Sequence, residues 1–317
     1  MPSTKVSDLA IVPEVFLEYV ERLIMQKSAM FRSGLIANNP TFIPSKGTTV
    51  NAPSYLGFTG ADEVLSDSAA LTVNKVDSVN AVAAINFRGK AFGANDLVGQ
   101  LAGADPLGSL ANKFADYWVR QYDSTLISVI KGTSAALDVV YGAGSIINDQ
   151  SAVVIGADMV IDTLALMGEY SDELQFAVMH SAVLAQLQKN DLTKDVLVDS
   201  GSNMITTYMG RQVIVDDKLV PNTGVYDTVF ASAGAVMYSQ GIDPSLAIET
   251  DRDILAGDDI TTTRSRFIMH ANGSSYVGNP TGVSPTNIEL ATDSSWLAED
   301  DSESKRYKIR VLKHLIA

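Results

Sequence analysis

"DPLGSLANKFADYWVRQYDSTLISVIKG", Asp105 to Gly132, is the stretch on which the fold turns. Leu107, Leu110, Phe114, Trp118, Tyr122, Leu126 and Val129 step by three or four residues, one continuous apolar stripe. Asp105 is placed to cap the start, and Pro106 suits the first helical position, where a missing amide proton costs nothing. Lys131 and Gly132 supply the cation and the glycine that favour an end. A helix of this length runs about 40 Å. Its single stripe must be buried against something, which predicts a spine with a sheet packed on it.

Upstream, residues 11–36, "IVPEVFLEYVERLIMQKSAMFRSGLI", read as a helix starting near Pro13. Phe16, Val20, Leu23 and Ile24 share one face, with Glu14, Glu18, Glu21 and Arg22 largely on the other. Prolines in the following "ANNPTFIPSKG" stop it. Residues 1–46 thus read as an arm whose apolar face needs a partner, so removing residues 1–36 is expected to leave a soluble chain unable to assemble. From Lys46 to Phe92 the pattern turns to β. "TTVNAPSYLG" and "ALTVNKVDSVNAVAAINFRGKAF" flank the acidic "TGADEVLSDSA", and Thr72–Lys75 alternate with period two. This long hairpin is small and polar, so it needs neighbouring chains to hold it.

Downstream of the spine, residues 153–246 alternate helix and strand. "GADMVIDTLALMGEY" is helical, "LQFAVMH" a strand, "SAVLAQLQKN" a short helix, "GRQVIVDD" a buried strand and "YDTVFASAGAVMYSQ" another. That alternation predicts a compact α/β domain inserted in the chain. From Ala247 the pattern returns to long β segments, "RSRFIMHANGSSYVG" and "KRYKIRVLKHLIA", with the charged "AEDDSESKR" as a solvated turn.

Composition narrows the function. The 317 residues are 46% hydrophobic and 19% charged, the balance of a folded protein. A formal net charge of -14 disfavours tight binding to a phosphate backbone, which needs clustered cations. Without cysteine there is neither disulfide nor thiolate site, and His180, His270 and His314 are too scattered to predict zinc. No run approaches the roughly 18 apolar residues of a membrane span, and the N-terminus has the pattern of an unprocessed cytosolic chain.

The residues that invite a catalytic reading are better explained as architecture. His180 and Ser181 sit side by side with Asp216 and Asp217 some way on, the parts of a hydrolase. Adjacent residues at a strand end point to opposite faces, so they are a poor nucleophile–base pair. Ser181 fits the N-cap of the helix it begins, and the aspartates fit a turn that bonds local amides. A metal site at Asp216 and Asp217 would need oxygen donors the sequence does not mark. "YGAGSIIND" lacks the third glycine of a dinucleotide loop, so Gly142 and Gly144 read as a flexible corner. Ser128 to Lys131 and the adjoining Lys-Gly-Thr overlap two motifs that lie far apart in penicillin-binding enzymes, so the match is chance. "DRDILAGDD", Asp251 to Asp259, lacks EF-hand ligand order and reads as a solvated loop. No catalytic, cofactor-binding or metal-binding residue is expected, and no cofactor.

An arm, a weakly apolar hairpin, a spine, an inserted α/β domain and returning strands describe a subunit completed by its copies. In this order the chain resembles the major capsid proteins of tailed bacteriophages with the Hong Kong 97-type fold. "VMHS" at Val178–Ser181 with "LAQLQKNDL" behind it, and "GRQVIVDD" at Gly210–Asp217, carry the resemblance. "VPEVFLEYV" near the start and "ETDRD…TTTRSRFIMHANGSSY", Glu249–Tyr276, extend it over nearly the whole chain. It implies an α+β capsid fold: arm 1–46, extended hairpin loop 47–92 reaching over a neighbour, peripheral domain 93–152 with the spine, axial domain 153–246, and peripheral strands 247–317. The implied function is an icosahedral head enclosing double-stranded DNA, built from pentamers and hexamers of this chain, in the virion after assembly in the bacterial cytoplasm. Scaffold, portal and decoration proteins are implied partners, with a separate scaffold because the arm is short. DNA is contacted weakly and non-specifically, and there is no membrane partner. The Phe16/Val20/Leu23 face and the 55–80 hairpin are the expected contacts between copies. The competing readings are an encapsulin-type compartment, another structural virion protein, and a metal-dependent hydrolase using Asp216, Asp217 and His180.

Overall fold

The computed structural model describes residues 23, 26–39, 47–55, 61–65, 67, 70–75, 78–95, 110–190, 192–197, 204–241, 248–253, 258–300 and 304–317. The first elements are helix α1 (Ala29–Ser33) and strands β1 (Ile36–Asn38), β2 (Thr49–Tyr55) and β3 (Ser78–Asn95), then the spine helix α2 (Leu110–Tyr141). Next come β4 (Ile147–Val154), α3 (Ala157–Ala165), β5 (Leu174–Met179), α4 (Ser181–Lys189), β6 (Thr193–Leu197), β7 (Met204–Tyr208) and β8 (Arg211–Val215). The chain finishes through β9 (Tyr226–Ser232), β10 (Val236–Gln240), β11 (Ile248–Asp253), β12 (Asp258–Ala271), β13 (Ser274–Tyr276), α5 (Asn287–Leu290), β14 (Trp296–Ala298) and β15 (Ile309–Leu315).

The spine is longer than its sequence suggests. The expected start at Asp105 lies outside the described residues, but the expected end at Gly132 is overturned. The helix runs on to Tyr141 and stops where Gly142 takes φ 97°, a conformation that favours glycine. Gly132 serves a close approach instead. A Cβ there would lie 2.0 Å from the Leu290 carbonyl oxygen and 2.8 Å from Trp296 Nε1, so α5 and Trp296 press directly on the helix backbone. Trp296 Nε1 donates to that same carbonyl at 2.8 Å, fixing the two together.

Two sheets bury the rest of the spine. One has six strands in the order β1-β10-β12-β3-β2, with β11 also on β12. Its Ala84, Val236, Tyr238, Phe267 and Met269 join the spine's Trp118, Tyr122 and Leu126 in the main core. The other is seven-stranded, in the order β4-β15-β9-β5-β8-β7-β6. Along β5, Phe176 and Val178 face the spine core, while Ala177 and Met179 face a second core under α3 and α4 with Val160, Leu164, Val183 and Leu187. Alternation across a strand buried on both faces produces that split, and each large apolar side chain so buried stabilises by about 1.5–3 kcal/mol.

The sheets do not follow chain order. The stretch read as one strand, 226–240, is two: Gly234 at φ 64° turns the chain between β9, in the seven-stranded sheet, and β10, in the six-stranded one. The final strand β15 lies between β4 and β9, antiparallel to β9 and parallel to β4. Residues 251–253 and 258–259, expected as loop, pair as the β11–β12 hairpin, Asp253 opposite Asp258. Thr72–Lys75, expected as strand, carry no ladder; β3 begins at Ser78, where β2 supplies a partner.

The N-terminal segment is also rearranged. Instead of one helix to residue 36, the described part breaks at Ser28, whose hydroxyl caps α1, and Gly34 at φ 88° turns the chain into β1 beside β10. Ser28, Met30, Leu35 and Ile36 are buried, and Leu23 packs on the main core; Phe16 and Val20 lie outside the described residues. Deleting residues 1–36 would therefore strip the core and test folding rather than assembly, contrary to the expectation above.

α5 is a single turn held by one carboxylate. Glu289 accepts from Thr286 N at 2.7 Å and from Thr281 N and Oγ1 at 2.9 and 2.8 Å, while Thr286 caps back onto Glu289 N. The Thr286 and Thr281 hydrogen bonds hold its carboxyl at about 2. A depressed folded value contributes stability above the unfolded carboxylate range, lost as pH falls through about 2. Glu289→Gln should unfold at lower denaturant than wild type at neutral pH. The gap should close as the solution approaches pH 2; a gap that stays constant into acid would contradict the clamp.

Candidate assembly surface and the His180 corner

His180, Ser181 and Asp217 do come together, but not as a catalytic set. β5 ends at Met179 and α4 begins at Ser181, so the N-cap is His180, not Ser181 as expected. Its ring Nδ1 accepts from Ala182 N at 3.0 Å, which is the capping bond a serine or asparagine usually makes. Ser181 turns instead to Asp217: its amide donates to Oδ1 at 3.0 Å, and hydrogen bonds from its hydroxyl and amide, with a smaller pull from His180, hold that carboxyl below the usual range. His180 Nε2 stands 3.8 Å from the same oxygen. Asp216 makes the expected turn, accepting from Lys218 N at 2.8 Å.

Lys218 braces this turn onto the spine. Its ammonium donates to the Arg120 carbonyl and lies 3.7 Å from Asp123, which also accepts from Ser28 Oγ at 2.8 Å. Burial raises the Asp123 carboxyl and lowers Lys218, so desolvation outweighs their attraction. One buried carboxylate thereby ties together the N-terminal segment, the spine and the α/β sheet.

The remaining motifs are structural. Gly142 and Gly144 form a corner that is pinned rather than flexible, because the Asp138 carboxylate accepts from Gly144, Ile146 and Ile147 amides. Ser128 bonds back to Ser124 O, Lys131 pairs with Asp227 at 3.4 Å, and Thr133 meets the Tyr307 hydroxyl at 2.7 Å. His180 and His314 flank Tyr226, at 5.4 and 6.4 Å between ring centres, while His270 lies against Trp296, its imidazole pushed down to about 4 by burial. Among the described residues no three acidic or histidine side chains are grouped to hold a metal. No described helix is long and apolar enough to cross a membrane.

The unusual surface is the hairpin. β2 pairs with β3 from Thr49↔Ala84 to Tyr55↔Ser78, and β12 pairs with β3 from Asn95 back to Ile85. The segment between β2 and β3 carries Val64 at 94% exposure and Val73 at 95%, with Leu65 and Leu71 also exposed. Glu63 accepts from Thr72 N at 3.0 Å and bridges the two sides of this tip. Scattered exposed apolar residues are ordinary; these four all fall between the two strands of one hairpin.

Residues 108–305 match the family model described as major capsid protein 13-like, Gp13-like. The major capsid protein of Bacillus phage SPP1 is 31% identical over 325 residues, covering 99% of each chain. Among solved structures, the head of Helicobacter pylori bacteriophage KHP40 aligns with TM-score 0.58 at 9% identity, over 92% of this chain and 91% of that one. Mycobacterium phage Adephagia aligns with TM-score 0.57 at 11% identity, over 92% and 91%. The capsid of the native GTA particle also aligns with TM-score 0.57, at 14% identity, over 89% and 88%. At such identities these structures speak for the shared fold, the Hong Kong 97-type capsid fold in its α+β form. With the family's own sequence pattern running through spine, α/β sheet and returning strands, this chain belongs to the Gp13-like major capsid proteins and is a structural component of a tailed-phage virion.

Proposed function

We propose that the subunit closes into pentamers and hexamers of an icosahedral DNA-filled head, with its β2–β3 hairpin lying on a neighbouring copy, and that it carries no catalytic activity. The observation that supports this most is the exposed apolar tip, Val64, Leu65, Leu71 and Val73, on a hairpin with too little surface to stand alone. In this reading the spine and six-stranded sheet make the peripheral part. The seven-stranded sheet with α3 and α4, mainly residues 153–246, makes the axial part around each capsomer centre. Many modest contacts, each repeated by symmetry, then multiply into a stable shell. The net charge of -14 limits adhesion to packaged DNA, so genome contacts are weak and non-specific. Scaffold, portal and decoration proteins are the further partners the reading requires.

The test is a triple substitution, Val64→Asp, Leu65→Asp and Val73→Asp. These side chains are solvent-facing in the subunit, so its thermal transition should match wild type. Negative-stain microscopy should show free subunits or capsomers instead of closed shells. Normal shells from the triple variant would overturn the hairpin's role.

A further inference from the structure

We propose that His180 is an acid-sensitive cap: its neutral ring holds the start of α4, and proton uptake exchanges that bond for an ion pair with Asp217, disturbing the turn that braces the α/β sheet on the spine. The geometry sets the chemistry. Ala182 N–H is a donor, so the Nδ1 it meets at 3.0 Å must be a bare acceptor, which leaves the ring proton on Nε2. An imidazolium carries protons on both nitrogens. Protonation at Nδ1 would set one donor against another, and the ring must leave the cap. A positive charge at a helix N-terminus is disfavoured as well. Asp217 waits on the other side at 3.8 Å, a gap that closes readily into a charge-assisted bond.

The surroundings make the exchange consequential. The groups that face the ring are Asp217, in the turn after β8, and the Tyr226 ring on β9; Asp216 and Lys218 share the Asp217 turn, His314 lies against Tyr226, and Asp227 is turned to Lys131 of the spine. Of these, Asp217 has its carboxylate on Ser181 N, so drawing it toward the imidazolium pulls on the first turn of α4 from a second direction. The same turn carries Lys218, whose ammonium reaches the Arg120 carbonyl and stands beside Asp123. A proton on one ring is therefore felt at both the α4 start and the spine brace.

Amide-resolved hydrogen exchange of the full-length chain, from about pH 8 to about pH 5, spans the range in which imidazoles titrate. After correction for the intrinsic pH dependence, opening at the Ala182 amide should rise about fivefold on acidification, the worth of one lost cap. The Lys218 amide should change with the same midpoint. His180→Asn keeps a capping acceptor that does not titrate, so in that variant both amides should be indifferent to pH. Equal protection at both ends of the range in wild type would overturn the proposal, as would an unchanged pH response in His180→Asn.

Discussion

Gly132→Ala yields little or no soluble folded subunit. Two effects compete at this position, and their sizes decide the outcome. Alanine is the better helix former by about 1 kcal/mol, and Gly132 is in the middle of a 32-residue helix, so propensity alone predicts a stabilised spine. Against that, the added Cβ would lie 2.0 Å from the Leu290 carbonyl and 2.8 Å from Trp296 Nε1. The obstacle is backbone, not the tip of a flexible side chain, and that backbone is fixed by the Trp296 bond and the Thr286–Glu289 capping box. Relief means pushing α5 and β14 off the spine, a loss of more than about 3 kcal/mol. Denaturant unfolding of whatever soluble protein is recovered checks the sign directly. A variant more stable than wild type would mean that α5 does not sit on the helix as described.

Tyr122→Ala should lose about 3–5 kcal/mol, while Tyr122→Phe should lose only about 1 kcal/mol. Tyr122 is 1% exposed and is the point where three parts of the chain meet. Its ring packs edge-on against Phe267 of β12 at 4.6 Å and against Tyr238 of β10 at 5.9 Å, and tilted against Phe31 of α1 at 6.3 Å. Its hydroxyl shares a 2.6 Å hydrogen bond with Ser265. Truncation removes the aromatic hub and leaves Ser265 without that partner; the phenylalanine variant keeps the packing and forfeits only the bond. Urea titration of both variants separates the two contributions. Equal losses from the two would mean the hydrogen bond, not the packing, holds the junction.

Much of this was legible in the chain because it depends on local periodicity. The stripe from Phe114 to Val129 marked a helix, although burial of Ile127, Ile130, Thr133 and Ser134 shows more of its circumference covered than the stripe alone predicts. β5, α4 and β8 were each marked by their own apolar pattern and fell within a residue or two of their expected places. The turn at Asp216 was legible as well, as an aspartate bonding a local amide, whereas the cap expected of Ser181 falls to His180.

What local pattern could not show is every feature decided by a distant partner. Gly132 reads as a helix end in sequence, because a glycine after a lysine usually is one; only the Leu290 carbonyl, brought from far along the chain, makes it a contact point. Residues 226–240 look like one strand, since a strand's alternation continues across Gly234 whether or not the sheet does. His180 rather than Ser181 caps α4 because the ring and the hydroxyl are shared out by where Asp217 lies, thirty-six residues on. The sequence by itself determined the spine, β5, α4 and β8 as elements, for that follows from side-chain spacing and backbone preference. Which strands share a sheet, where two backbones touch and which side chain takes which hydrogen bond were decided by the tertiary structure, because those depend on contacts between residues that no local spacing links.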